Sequence, residues 1–274
     1  MNLKKILVAF DLREDSFSAL QHAAFIARQF GAEILVLHLV KSEDAIEIAR
    51  HRMEVFLDKL AGLYNGPITP IVKTGNIFQD ISENAAQLGA DLIIVPTHGI
   101  KGMQHLRGSN ALRVVTESDI PFLIVQERLI REHGYKKIVI PVEDRKQILN
   151  EAPLFAQLSK VFQSEVHLFS NTHQDQKNTE SNLSALEQYF EREGANVTVH
   201  TVNEKQPFAQ SVAHFAASLD ADLICTINYS YEYLYTLFPR VDEEYLIYNE
   251  AQIPVLMITP EQQDDFLYAF PILY

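Results

Sequence analysis

The chain repeats itself. Lys4-Lys5-Ile6-Leu7-Val8 returns as Lys136-Lys137-Ile138-Val139-Ile140 at an offset of 132 residues. Ala90-Asp91-Leu92-Ile93 returns as Ala221-Asp222-Leu223-Ile224 at 131, and Ile120-Pro121-Phe122-Leu123-Ile124-Val125 as Ile253-Pro254-Val255-Leu256-Met257-Ile258 at 133. Three matches within two residues of one period describe a duplicated unit with small loop insertions. Solenoid arrays repeat every ~20–50 residues, so so long a period means two whole domains. The 274 residues divide accordingly into 1–131 and 134–262, with a polar linker near Arg131-Glu132-His133-Gly134 and an apolar C-terminal tail over 263–274.

Each unit alternates apolar strands with helical patterns. In the first, a strand over Ile6–Phe10 leads to a helix with apolar spacing at Phe17, Leu20, Ala24, Ile26 and Ala27. Asp15 or Ser16 supplies its N-cap and Gly31 its stop. Strands follow at Glu33–Val40, Ile68–Val72, Leu92–Val95 and Pro121–Gln126. The intervening helices fall at about 42–63, at Ile77–Leu88 before Gly89, and around Asn110–Thr116. Continuous apolar strands between helices imply a parallel sheet covered on both faces. The fold class is α/β: two doubly wound domains, each a mainly parallel five-stranded sheet flanked by helices.

Composition excludes several functions. The longest apolar run, counting proline, is the nine residues 266–274, far short of the ~20 that cross a bilayer. The opening apolar run stops at Asp11, too early for a signal peptide. The single cysteine, Cys225, forms no internal disulfide and fits a reducing cytosol. The formal charge is −13, divided into −2 over residues 1–133 and −11 beyond. A nucleic-acid binder needs a basic face, and anionic ligands are repelled more by the second half than by the first. The expectation is a cytoplasmic protein without nucleic-acid or membrane partners.

Ligands of such a sheet bind beyond the carboxyl ends of its strands, where the strand order reverses. This directs attention to Ala9-Phe10-Asp11, to Leu37–Val40 and to the segment after Val95, Pro96-Thr97-His98-Gly99-Ile100-Lys101-Gly102-Met103-Gln104-His105-Leu106-Arg107-Gly108-Ser109-Asn110. Gly108 and Ser109 precede a helix whose unpaired N–H groups suit an anion, while Lys101 and Arg107 add positive charge. The same residues also describe an ordinary capped helix after a loop.

The segments KKILVAFD, LHLV, GADLIIVPTHG, GSN and IPFLIV together resemble the universal stress protein family in its tandem two-domain form. The resemblance covers about 125 residues of the first unit and, more weakly, the same stretch of the second. It implies an adenine nucleotide alpha hydrolase-like fold and a G-x2-G-x9-G-[ST] loop that cradles the phosphates of ATP or AMP. Carried over residue by residue, Gly99 takes the second glycine, and Gly108 and Ser109 the closing pair. Asp11 takes the acidic residue near the nucleoside, and Leu39 and Val95 lie by the base. Ala9, Phe10, His98, Gly102 and Asn110 complete the candidate nucleotide site. Two departures stand out. Pro96 replaces the first glycine and removes a donor, and the spacer between Gly99 and Gly108 has eight residues instead of nine. In the second unit no glycine follows Gly194, and Glu143 stands at the position of Asp11. No nucleotide is expected there.

The resemblance also implies a homodimer and, within one chain, a pseudo-dimer through Phe122–Gln126 and Val255–Thr259, which would remove two exposed sheet edges. His98 and His105 lack the carboxylate or cysteine that would complete a metal spacing, so no metal or metal cluster is expected. His22, His51 and His133 are read as solvated, and His38, His167 and His214 as core histidines. Cys225 reads as a small buried hydrophobe. An ATPase would need a general base, for which His98 and Asp11 are the candidates. A regulatory binding protein is therefore favoured over an enzyme, with weak ATPase activity as the ceiling. The alternative is a nucleotide-free scaffold, binding an unidentified protein through the tyrosine-rich stretch 229–248 and the tail.

Overall fold

The computed structural model describes residues 3–97, 119–173, 178–227 and 245–259. The first half runs β1 (Lys5–Ala9), α1 (Phe17–Phe30), β2 (Glu33–Val40), α2 (Ile46–Ala61), β3 (Ile68–Thr74), α3 (Ile77–Leu88), β4 (Leu92–Pro96) and β5 (Phe122–Val125). The second runs β6 (Lys137–Pro141), α4 (Gln147–Asn150), α5 (Ala152–Phe162), β7 (Glu165–Asn171), α6 (Thr179–Arg192), β8 (Asn196–Val202), α7 (Phe208–Ser218), β9 (Leu223–Ile227) and β10 (Val255–Ile258).

Ile6, Leu7 and Val8 have no exposed surface, because helices cover β1 on both faces. Ala19, Ala23 and Ala27 bring α1 close to the sheet. Gly31 ends that helix at φ +68, with its N–H 2.7 Å from the Ala27 carbonyl, a left-handed cap that glycine adopts at least cost. Ser16 stands at the N-cap, as read from the sequence, but its hydroxyl makes no capping bond.

Ten strands form one sheet in the order β3-β2-β1-β4-β5-β10-β9-β6-β7-β8. Both halves have the same internal order, and all pairs within a half are parallel. The duplication reaches individual hydrogen bonds. Asp91 Oδ2 accepts from the amides of Lys4 and Lys5 at 2.7 and 2.9 Å, and Asp222 Oδ2 from those of Lys136 and Lys137 at 3.0 and 3.0 Å. The expected edge strands meet antiparallel, Ile124 opposite Val255 and Phe122 opposite Met257, and this pairing fuses two five-stranded halves into one continuous sheet.

Beneath that seam α1 faces the second half through an aromatic cluster. Tyr135 packs edge-on to Phe25 and Phe162 at centroid distances of 5.4 and 5.1 Å. Here two sequence expectations fail. His22 is not solvated but buried, between the Tyr135 hydroxyl (Nδ1, 2.6 Å) and the Arg128 carbonyl (Nε2, 3.0 Å). An interface between the halves covers it, and no single-helix pattern announces such an interface. His214, read as core, is exposed on the outer side of α7.

The linker is fastened by charge. Arg131 pairs with Asp220 and with Asp222 (Nη1–Oδ1, 3.2 Å), and His133 Nε2 reaches Asp222 Oδ1 at 3.2 Å.

Candidate functional site

In the first half the strand order reverses between β1 and β4, the position where an open α/β sheet offers a crevice. Ala9, Phe10, Asp11, Leu39, Val95 and Pro96 are described there. His98, Gly99, Gly102, Gly108, Ser109 and Asn110, with the helix expected over 110–116, lie outside the described residues.

Strand alternation sorts the described six. Ala9 and Val95 are buried in the core layer beneath α3, and Leu39 packs against it. Phe10 points the other way, its ring edge-on to Phe56 of α2 at 4.9 Å. Its bulk therefore lies on the opposite side of the sheet from Ala9, Leu39 and Val95.

Backbone bonds fix the mouth. The Phe10 amide donates to Leu37 O at 2.8 Å, and His38 Nδ1 lies 2.7 Å from the Phe10 carbonyl. A carbonyl only accepts, so His38 carries a proton on Nδ1 and, when neutral, offers Nε2 as an acceptor. Burial lowers its pKa, opposed by the Phe10 carbonyl and by Asp11 and assisted by Arg52. Sequence reasoning treated His38 as a core residue and did not place it beside Asp11. A histidine two residues before the end of a strand that neighbours β1 was the available signal.

Asp11 follows directly. Both of its carboxylate oxygens are closed to solvent and have no hydrogen-bond partner among the described residues. The Ser16 hydroxyl is close but outside hydrogen-bonding geometry, and Arg13 Nε stands 3.7 Å from Oδ2. Burial raises the carboxyl above its ordinary pKa, against the lowering pulls of Ser16 and Arg13. A buried acceptor without a donor is costly, and a ligand hydroxyl or amine at this position would relieve the cost.

Pro96 fits its strand. Ile93 N donates to Pro121 O and Thr97 N to Val125 O, so odd-numbered amides of β4 face β5. The missing N–H of Pro96 would face β1, whose ladder with β4 has already ended at Val8 and Ile94. No ladder bond is lost.

The second half differs at the matching position. Asn171 stands at the end of β7, where β2 has Leu39. Its amide nitrogen donates to Glu204 O (2.9 Å) and Ser211 Oγ (3.0 Å), and its oxygen accepts from the amides of His173 and Glu204, each at 3.1 Å. All of its amide atoms are used within the protein. Asn182 Nδ2 donates to the carbonyls of Glu143 and Arg145 at 2.9 and 3.2 Å. Cys225 is buried in β9, and burial pushes its thiol pKa up, away from nucleophile chemistry.

Comparison with known proteins bears on the family and the fold. The universal stress protein family profile matches residues 2–126. Universal stress protein G of Salmonella typhimurium is 27% identical over 141 residues, covering 45% of this chain and 99% of that protein. A universal stress protein of Methanocaldococcus jannaschii is 28% identical over 140 residues, covering 45% and 82%. Over nearly its whole length the chain shares the fold of a universal stress protein from Archaeoglobus fulgidus, with TM-score 0.73, 17% identity and coverage of 95% and 97%. Residues 2–126, just under half of the chain, match the universal stress protein family.

Proposed function

We propose that this protein binds an adenine nucleotide, ATP or AMP, in its first half and acts as a regulatory binding protein rather than a catalyst. The observation that carries the reading is Asp11, a carboxylate closed to solvent at the switch point of the sheet, with no donor among the described residues. A ribose hydroxyl is a donor of suitable chemistry for it. Ala9, Leu39 and Val95 lie on one apolar side of the sheet, and the sequence resemblance makes Gly99, Gly102, Gly108 and Ser109 the candidates to hold the phosphates.

The reading leaves the second half without a nucleotide, since Asn171 is satisfied internally and a charge of −11 opposes polyphosphate. It assigns residues 1–131 and 134–262 to two copies of one ancestral domain, in a cytoplasmic protein that self-associates as a homodimer. No helix among the described residues is long and apolar enough to cross a membrane.

Calorimetry with ATP and with AMP tests the proposal. Binding by the wild type that is lost in Asp11→Ala supports it, and binding indifferent to that substitution refutes it.

A further inference from the structure

Among the described residues the sheet ends at two outer strands, β3 and β8, and they are not alike. Val36 of β2 lies opposite Pro70, and Leu168 of β7 opposite Val199. Val36 and Leu168 are separated by the repeat offset of 132 residues, so Val199 holds in β8 the place that Pro70 holds in β3. Hydrogen bonds fix which way these residues point. Ile34 N donates to Pro67 O and Gly75 N to Val40 O, both at 2.9 Å, so the odd-numbered backbone groups of β3 face β2. Pro70 therefore turns its missing N–H outward, which guards that edge against a further strand. Thr172 N donates to Val202 O at 2.8 Å, so the even-numbered groups of β8 face β7. The N–H and C=O groups of Val197, Val199 and Thr201 point away from the sheet. No lysine, arginine, carboxylate or proline occurs from Ala195 to Asn203, although such residues ordinarily protect an exposed edge.

We infer that β8 is the surface through which two copies of this chain associate, as antiparallel neighbours about a two-fold axis at Val199. The inference rests on the self-association proposed above and gives it a place. A ladder centred there sets Val199 opposite Val199, Val197 opposite Thr201 and Thr201 opposite Val197. Each is a pair of outward-pointing residues that exchanges two hydrogen bonds, about six in all. The same edge on each copy meets itself, so the assembly closes at two, and Pro70 on the far edges keeps it from growing. Val197 and Val199 already pack against the core layer that includes Leu183, Leu186 and Phe190 of α6, and association extends that layer across the axis. Charge balances at the strand ends. The two-fold brings the end of β8 that follows Glu193 to the end that precedes Glu204 and Lys205 in the second copy. Glu193 is paired with Lys160 at 2.7 Å, so two carboxylates and two lysines meet there. The chain already joins its halves in this way, β5 against β10.

Analytical ultracentrifugation of the full-length chain tests this, with Val199→Pro copying the residue that β3 accepts at the same place. The wild type is expected at twice the 31.2 kDa of one chain. Val199→Pro is expected to weaken the dimer at least about 30-fold, since it removes the two central bonds. A dimer that Val199→Pro leaves intact, or an assembly larger than two, overturns the proposal while leaving self-association standing. A wild-type monomer overturns both. Hydrogen exchange read by mass spectrometry is a second measurement that needs no variant. Exchange in residues 196–202 should quicken when the wild type is diluted into monomer, with residues 68–74 unchanged. Exchange in 196–202 that ignores dilution contradicts the proposal, and this result decides if Val199→Pro does not fold.

Discussion

Asp11 sets stability against binding within a single side chain. Its carboxylate is disfavoured by burial and has no hydrogen-bond donor among the described residues, so Asp11→Asn should raise folding stability by about 1 kcal/mol while weakening nucleotide binding. Chemical denaturation beside calorimetry checks both halves of that statement. His22 gives the residue-scale pH dependence. Its Nε2 must donate to the Arg128 carbonyl, so Nδ1 accepts from the Tyr135 hydroxyl and the ring is neutral. Burial lowers its pKa from 6.5 to about 4. The unfolded chain therefore takes up a proton first as pH falls. The stability this neutral histidine contributes is complete above pH 6.5 and is lost progressively towards pH 4, a loss of about 3 kcal/mol. Urea titrations across that range should show the decline, with a shallower slope in His22→Gln.

Among the elements, the linker packs closely against α1. Gly134 adopts φ +71, and a Cβ there would lie 2.1 Å from the Phe25 ring. Gly134→Ala should cost about 2–4 kcal/mol, combining left-handed strain with overpacking against α1. Gly31→Ala, at φ +68 with open space around it, should cost only about 1 kcal/mol. Thermal unfolding of the pair separates the two effects. The strands and helices themselves were legible from periodicity: Glu33–Val40 and Ile77–Leu88 coincide with β2 and α3, because burial on both faces of a strand and a glycine stop on a helix are local signals. The positions of His22, Gly134 and Asn171 were not legible. Each owes its role to a neighbour 30 or more residues away, and no window of sequence contains both partners.

For the whole molecule, the likeness of the two halves explains more than any single contact. The same aspartate tether, the same strand order and the same edge strand occur twice, and antiparallel pairing of the two edges removes both from solvent. The halves diverge at the carboxyl ends of their strands, where the first has Leu39 followed later by a glycine-containing segment and the second has Asn171 and no glycine beyond Gly194. The place of Asp11 just beyond β1 was legible in the sequence because strand ends can be located from apolar runs. That its oxygens have no hydrogen-bond partner among the described residues was not legible, since that required coordinates. Titration of the wild type with ATP and AMP, with stoichiometry read per chain, tests the asymmetry between the halves most directly. The account predicts one nucleotide per chain, abolished by Gly108→Val and untouched by Glu143→Gln. Two nucleotides per chain, or none, would contradict it.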